Sequence, residues 1–387
     1  MGRKTVYLHV GFPKTGSKSI QATLTYNAAL LKGMGYLYPH EMVPEKHRAY
    51  NMPVIHTIPI RLIFNNDPYK GNNIILGQNK KFVDESKLWA EKELNKIIET
   101  NYNIVLSGEG IPHVDKEGLS RFRDYFENNG YEIKVIAFIR SPNSIINSMT
   151  QQTIRAGIYV NSKNMDFVTS HLILKLKNIF GDLITYIPFK EACSHTNGPV
   201  GTLLKFLDIS DQEEFKFRRH NQSDSNLSAR INNFINFYEP IIINGKINPN
   251  RNPGDVSFIM RLQGNKFTLS KQEVFFEKFA QIQKESERIV ELLGSQFVSA
   301  DLSINSFPDQ ESEGFYDCSD QALNSFANDL SKANLLIQGL VRKYFEINPF
   351  LNNNILIKAR HILGIVSNSS KDLEEKSILN EVLRPII

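Results

Sequence analysis

A parallel α/β fold is predicted for this chain: a central parallel β-sheet flanked by helices, with a C-terminal helical extension. Three observations predict it. Short β-rich runs alternate with segments of helical period up to about Asp208. A loop with two glycines and a proline joins the first run to the first helix. Beyond Asp208 the pattern turns mostly helical.

The run 6–10 (VYLHV) is the first strand. After the loop 11–18, Ile20, Leu24, Ala28 and Leu31 recur at helical spacing, and Gly33 and Gly35 end the helix. Residues 36–82 read as irregular, interrupted by Pro39, Pro44, Pro53, Pro59 and Pro68. They hold His40, His47 and His56, and are either binding loops or a surface excursion of no special role. An amphipathic helix is expected over 85–100, a strand over 103–107 ending at Gly108-Glu109-Gly110, and a helix over 115–129. The run 133–139 (IKVIAFI) is the most strand-like in the chain and ends at Arg140-Ser141-Pro142. Ser141 suits an N-cap and Pro142 the first turn of a helix running to about Arg155. A helix over 167–180 and a strand over 183–187 complete the alternation, which argues for a parallel sheet covered on both faces. Helices follow over 226–238, 271–293, 320–345 and 354–366. The division expected is an α/β domain over 1–305 and a helical extension over 306–387.

Composition narrows the function classes. The 387 residues are 41% hydrophobic, ample for a large core. The formal net charge is only +4 and the basic residues are scattered, which speaks against nucleic acid as a partner. No run of about 18 apolar residues suggests a membrane span. The first residues lack the apolar stretch of a signal peptide, and two distant cysteines, Cys193 and Cys318, make no disulfide framework. A cytoplasmic protein is the expectation. No Cys/His cluster has zinc spacing, so no metal is expected.

The loop Gly11-Phe12-Pro13-Lys14-Thr15-Gly16-Ser17-Lys18 has the order strand, glycine-containing turn, helix. Such a loop aims backbone N–H groups at an anion, and the helix dipole adds to the attraction. Lys14 supplies a mobile charge, and Ser17 and Ser19 supply hydroxyls. The nucleotide-kinase form GxxxxGK[ST] fits Gly11 and Gly16, but Ser17 stands where that lysine belongs and Lys18 comes one residue late. No strand ends in an Asp suited to magnesium. The bland alternative is a glycine turn with no ligand.

The segment from His9 through Gln21 resembles the PKTGTT-type 5′-phosphosulfate loop of the PAPS-dependent sulfotransferases, closest to the bacterial branch acting on surface glycans. The resemblance implies a P-loop NTPase-like sulfotransferase fold. It implies that Pro13, Lys14, Thr15, Gly16, Ser17, Lys18 and Ser19 bind the donor, 3′-phosphoadenosine 5′-phosphosulfate (PAPS), with Lys14 on the bridging oxygen. Ser17 keeps the hydroxyl of the family's threonine; Lys18 departs from the pattern. The family reads the donor's 3′-phosphate with an Arg at a strand end and a Ser eight residues on; Arg140 and Ser148 match. Taken alone, the pair reads as an Arg capping a strand and a solvated Ser. Arg218 and Arg219, before His220-Asn221-Gln222-Ser223, resemble a late segment of the bacterial branch and either add charge to the nucleotide pocket or form a solvated basic turn.

Sulfuryl transfer needs a base for the acceptor proton. Glu109 follows the strand 103–107 at the carboxyl edge, where parallel sheets bind ligands, and is the first candidate. His113 is next, then His56; His9, inside the first strand, reads as a packed core histidine. The expected reaction moves a sulfuryl group from PAPS to a hydroxyl or amine of an acceptor, a glycan, releasing 3′,5′-ADP. The rivals are a P-loop kinase or NTPase and a non-catalytic nucleotide-binding protein of the same fold.

Overall fold

The computed structural model describes residues 4–42, 54–69, 79–160, 168–210, 212–218, 224–243, 246–251, 259–260, 262–274, 278–298, 305, 307–308, 319–333 and 335–347. The expected helix 354–366 lies outside them. By contacts the chain forms two compact units. The first comprises Met1–Ser141, Val168–Asn221 and Arg288–Val298; the second comprises Pro142–Phe167, Gln222–Glu287 and Ser299–Ile387. These units are drawn differently from the division at residue 305 read from sequence.

The first unit holds a five-stranded parallel sheet in the order β2-β3-β1-β4-β5. Its strands are β1 (Thr5–Val10), β2 (Tyr36–Leu37), β3 (Asn103–Gly108), β4 (Glu132–Ile139) and β5 (Ile184–Pro188). Every residue of β1 is buried, as a central parallel strand requires. One sheet face packs Val6, Leu8, Val10, Leu106, Val135 and Ala137 under Phe122 and Phe126 of the helix Lys116–Asn128 and Leu172 and Leu176 of the helix Ser170–Phe180. The other packs Tyr7, Val105, Ile136 and Phe138 under Ile20 and Leu24 of the helix Ser17–Tyr26 and Leu203 and Leu204 of the helix Gly198–Phe206. The α/β class and the parallel sheet are therefore as the alternating pattern predicts.

Two elements lie inside the stretch read as irregular: β2, and the helix Thr57–Phe64. Pro59 falls in that helix's first turn, where its missing N–H would have had no helical partner. The first predicted helix is two, Ser17–Tyr26 and Ala28–Gly33, broken at Asn27, whose side-chain amide donates to Thr23 O (2.7 Å) and Lys216 O (3.1 Å). Asp115 caps the helix Lys116–Asn128 by accepting from the Gly118 N–H.

In the second unit the helix Asn226–Tyr238 is buried on almost every side. Leu227, Ile231, Phe234 and Ile235 pack with Phe326 of the helix Asp320–Leu330 and Val341 and Phe345 of the helix Leu335–Ile347. The described helices beyond residue 305 thus share a core with it. Its polar residues are answered by backbone: Asn233 accepts from Val160 N (2.9 Å) and donates to Val160 O (3.0 Å), and Asn236 donates to Ile154 O (2.9 Å). Among the described residues no helix is long and apolar enough to cross a membrane.

Candidate active site

The strand order decides where the site lies. β1 sits between β3 and β4, and the chain leaves β1 toward the β2 edge but β4 toward the β5 edge. The loops therefore part above the carboxyl ends of β1 and β4, which is where parallel α/β sheets bind ligands. Register pairs Val10 with Gly108 and Ile139 with Pro188, so Gly11 meets Glu109 and Arg140 meets Phe189.

The loop after β1 turns by placing Lys14 (φ 64) and Gly16 (φ 80) in the left-handed region. Such turning points successive amides into one concavity, an anion nest, at the N-terminus of the helix Ser17–Tyr26. A non-glycine residue rarely adopts that conformation, so Lys14 is held there by its surroundings. Those surroundings are named. Gly11 N donates to Gly108 O (3.0 Å), the Thr15 hydroxyl donates to Phe12 O (2.7 Å), and an Arg140 guanidinium nitrogen donates to Lys14 O (3.0 Å). A Cβ at Gly11 would lie 2.5 Å from Ser17 Oγ and 2.9 Å from the Glu109 backbone, so only glycine lets the three segments close.

Each loop residue then has a distinct status. Thr15 is buried and its hydroxyl is used within the loop. Ser17 is 4% exposed and its hydroxyl has no hydrogen-bond partner. Pro13, Lys14 and Ser19 are half-buried and Lys18 is exposed. Gly16 is half-buried beside Pro199 and Phe189.

Arg140 follows β4 with its guanidinium 5.4 Å from the Phe189 ring centre. Burial pulls its pKa down from the usual value, with Cys193 opposing. Lys14 and Arg140 are thus brought together, and Phe189, absent from the sequence-based candidates, completes the pair. Its signal was its place one residue past β5. Ser148 lies half-buried on the helix Pro142–Arg155, in the second unit. Arg218 is not brought to the loop. Its guanidinium lies over Tyr26 at 4.0 Å and its backbone N–H donates to Thr23 Oγ1 (3.0 Å). Tyr26 is roughly 13 Å along the helix from Ser17. Arg219 lies outside the described residues.

Glu109 is pinned from below. Gly110 N donates to Thr57 Oγ1 (3.0 Å), and a Cβ on Gly108 would lie 2.4 Å from that same oxygen. Gly108 and Gly110 thus let the start of the helix Thr57–Phe64 close on the end of β3. The Glu109 carboxyl is accessible to solvent, yet the protein around it raises its pKa above the usual carboxylate range, while Lys14 and Lys18 pull it down. Those two lysines tie Glu109 to the loop after β1. His113, exposed at the end of the 3-10 turn Ile111–His113, faces other charges: burial first, then Lys175, Arg61 and His171, hold its imidazole below the usual value.

His56 and His9 are structural. His56 is fully buried; its Nδ1 accepts from Ser107 N (3.1 Å) and its Nε2 donates to Pro39 O (3.0 Å). Burial, foremost, takes its pKa to about 4. His9 is 1% exposed, with Nδ1 2.8 Å from Ser107 Oγ and a pKa lowered by burial to about 3. A separate cavity of about 480 Å³ is lined by His195, Asn197, Gln212, Phe215 and Phe217 among others. Asn197 donates to Gln212 there (3.0 Å), and no lysine or arginine is among its described lining residues, so it lacks the charge a phosphate needs.

No protein-family model matches the chain, and no curated protein sequence does. Among solved structures the chain is similar to a sulfotransferase from Alicyclobacillus acidocaldarius, with 13% sequence identity and a TM-score of 0.32, over 62% of this chain and 92% of that one.

Proposed function

We propose that this chain is a sulfotransferase that moves a sulfuryl group from PAPS to a hydroxyl or amine of a carbohydrate acceptor in the cytoplasm. The observation that carries the reading is the left-handed Lys14 within an amide nest, braced by Arg140 and facing Glu109. An anion held there has its leaving oxygen beside a lysine and its reacting group beside a carboxylate.

In this reading the 5′-phosphate of PAPS lies on the loop amides and on the hydroxyls of Ser17 and Ser19, and Arg140 takes a phosphate oxygen. The acceptor oxygen attacks sulfur in line as the bond from sulfur to the bridging phosphate oxygen breaks. The acceptor proton passes to the Glu109 carboxylate, and the charge left on 3′,5′-ADP falls to Lys14 and the amides. A raised Glu109 pKa suits this task, since a stronger base accepts the proton more readily. His113 is the reserve base. The kinase alternative is disfavoured by the buried Ser17 at the position its lysine would need and by the exposed Lys18 beyond it.

The test offers a panel of glycans with PAPS labelled in sulfur, alongside ATP and GTP. Label transferred to a glycan with release of 3′,5′-ADP is the expected result. Hydrolysis of ATP or GTP without sulfuryl transfer overturns the reading.

A further inference from the structure

The helix Asn226–Tyr238 leads into a short antiparallel ribbon of the second unit, β6 (Ile242–Ile243) and β7 (Lys246–Ile247). Ile242 pairs with Ile247 and Ile243 with Lys246; Asn244 and Gly245, which join the strands, lie outside the described residues. The base of the ribbon is fixed by buried groups. Ile241 N donates to Gly157 O (3.1 Å), and a Cβ at Gly157 would lie 2.2 Å from the Ile241 side chain. Asn248 is buried; its backbone N–H donates to Ile241 O (2.7 Å) and its side-chain amide to Glu239 Oε2 and Pro240 O (both 2.9 Å). Arg251, also buried, donates to Glu239 O (2.6 Å).

The tip is the reverse. Ile242, Ile243 and Ile247 are 55%, 44% and 70% exposed, and Lys246 is exposed beside them. Adjacent residues of a strand point to opposite faces, so Ile242 and Ile247 stand on one face and Ile243 and Lys246 on the other. Both faces of the ribbon are therefore open to solvent. Two short strands are marginally stable in water by themselves, so the buried base is what holds the apolar tip out. Beside that base Ile158 and Phe237 are exposed too, and the Phe237 ring meets that of Tyr159 edge-on at 5.0 Å. The Asn236 amide joins the two segments by donating to Ile158 O (3.3 Å).

Three features choose what covers this tip. A protein partner covers one face of a ribbon, whereas isoleucines on both faces suit a medium that surrounds them. Residues 240–251 hold two cations and no acid; Arg251 is occupied at the base, which leaves Lys246 as the charge at the tip. An apolar tip with a lysine, backed by aromatic rings, matches the layering of a membrane–water boundary with anionic headgroups. The outer edge of each strand carries backbone groups that need water or headgroups, which keeps any insertion shallow.

We propose that β6 and β7 form a shallow anchor onto an anionic lipid bilayer. Ile242, Ile243 and Ile247 enter the boundary between headgroups and acyl chains, and Lys246 meets the lipid phosphates. The anchor stands apart from the sulfotransferase reading, and its test needs no turnover.

The test is co-sedimentation of the full-length protein with vesicles. Vesicles of phosphatidylcholine mixed with phosphatidylglycerol are expected to bind it, and vesicles of phosphatidylcholine alone to bind it more weakly. Ile242→Ser and Ile243→Ser, on opposite faces, should each weaken binding on the order of tenfold, the scale of withdrawing one isoleucine from an apolar medium. Lys246→Gln should weaken binding to the mixed vesicles by about fivefold and leave binding to phosphatidylcholine unchanged. A second measurement keeps the tip apolar: Ile243→Trp should shift its emission to the blue with mixed vesicles, against the constant background of Trp89, the chain's single tryptophan. Failure of the parent to bind mixed vesicles, a loss confined to one face, or an Ile243→Trp emission that vesicles leave unmoved overturns the anchor. A parent that ignores vesicles but sediments as a dimer, dissolved by Ile242→Ser, overturns it in favour of an interface between copies of this chain.

Discussion

The loop after β1 and the turn after β3 end neighbouring strands of one sheet, yet they are built on opposite plans. The loop offers an anion mostly backbone: an amide nest made by two left-handed residues, shaped by the Thr15 hydroxyl from within and by Arg140 from the end of β4. The turn offers side chains, Glu109 at its start and His113 at its end, and takes its shape from a helix elsewhere in the chain through Thr57. A backbone site tolerates changes of side chain that keep the turn; a side-chain site has no such tolerance. The contrast teaches that, in the proposed reading, the donor half presents main-chain amides and the acceptor half presents side chains, and that both are braced by residues distant in the chain.

The sharpest way to break the comparison is Glu109→Gln, which keeps the shape and removes the proton acceptor. Turnover is expected to fall by about 10²–10⁴-fold, the scale of general-base loss, with 3′,5′-ADP affinity unchanged by calorimetry. A parallel loss of nucleotide affinity would move Glu109 to the donor half.

Lys14→Ala removes a charge but leaves the nest amides. A fall in turnover of on the order of a hundredfold or more is expected in a PAPS assay, with a smaller loss in nucleotide affinity. Near-normal turnover would end the assignment of Lys14 to the leaving group.

Arg140→Ala tests whether a single side chain serves both halves of a phosphate ligand. Because Arg140 also donates to Lys14 O, some loss is expected for adenosine 5′-phosphosulfate. The loss for 3′,5′-ADP should exceed it by roughly 1.5–3 kcal/mol, a charge-assisted contact to the 3′-phosphate. Equal losses would leave Arg140 as a brace of the loop only.

The smallest effect concerns the ground under both segments, where His9, Ser107 and His56 link β1, β3 and the helix Thr57–Phe64. Both imidazoles have folded pKa values below the ordinary 6.5, about 3 for His9 and about 4 for His56, with burial the main cause. The unfolded chain therefore binds more protons than the folded one below pH 6.5. Stability is full above that pH and falls as pH drops toward 4, by about one kcal/mol per pH unit for each histidine. Urea denaturation at pH 7 and pH 5 measures it; the slope should shrink in His56→Gln.

How far the sequence reaches follows the same divide. The turn of the loop after β1 is legible because its glycines at fixed spacing between strand and helix dictate its backbone, and β1, β3 and β4 are legible as buried apolar runs. The anchoring of Glu109 is not, because the helix Thr57–Phe64 hides in a stretch broken by prolines, where Pro59 reads as an interruption. His56 looks like a free loop histidine, and only the fold reveals both ring nitrogens engaged. The helix Asn226–Tyr238 defeats pattern reading in another way. Asn233 and Asn236 are core residues whose burial depends on carbonyl and amide groups of residues 154–160, far away in sequence.

The left-handed backbone of Lys14 has a consequence for how this centre is maintained through evolution. A glycine there would sit without steric cost, whereas a side chain in that conformation costs roughly 1 kcal/mol or more. Selection for stability alone would therefore favour Lys14→Gly, and in the proposed reading selection for chemistry opposes it. The variant is expected to melt at a higher temperature than the parent and to turn over far more slowly. A lineage that lost the need for the reaction would be expected to drift to glycine at this position first, long before the sheet or the nest decayed.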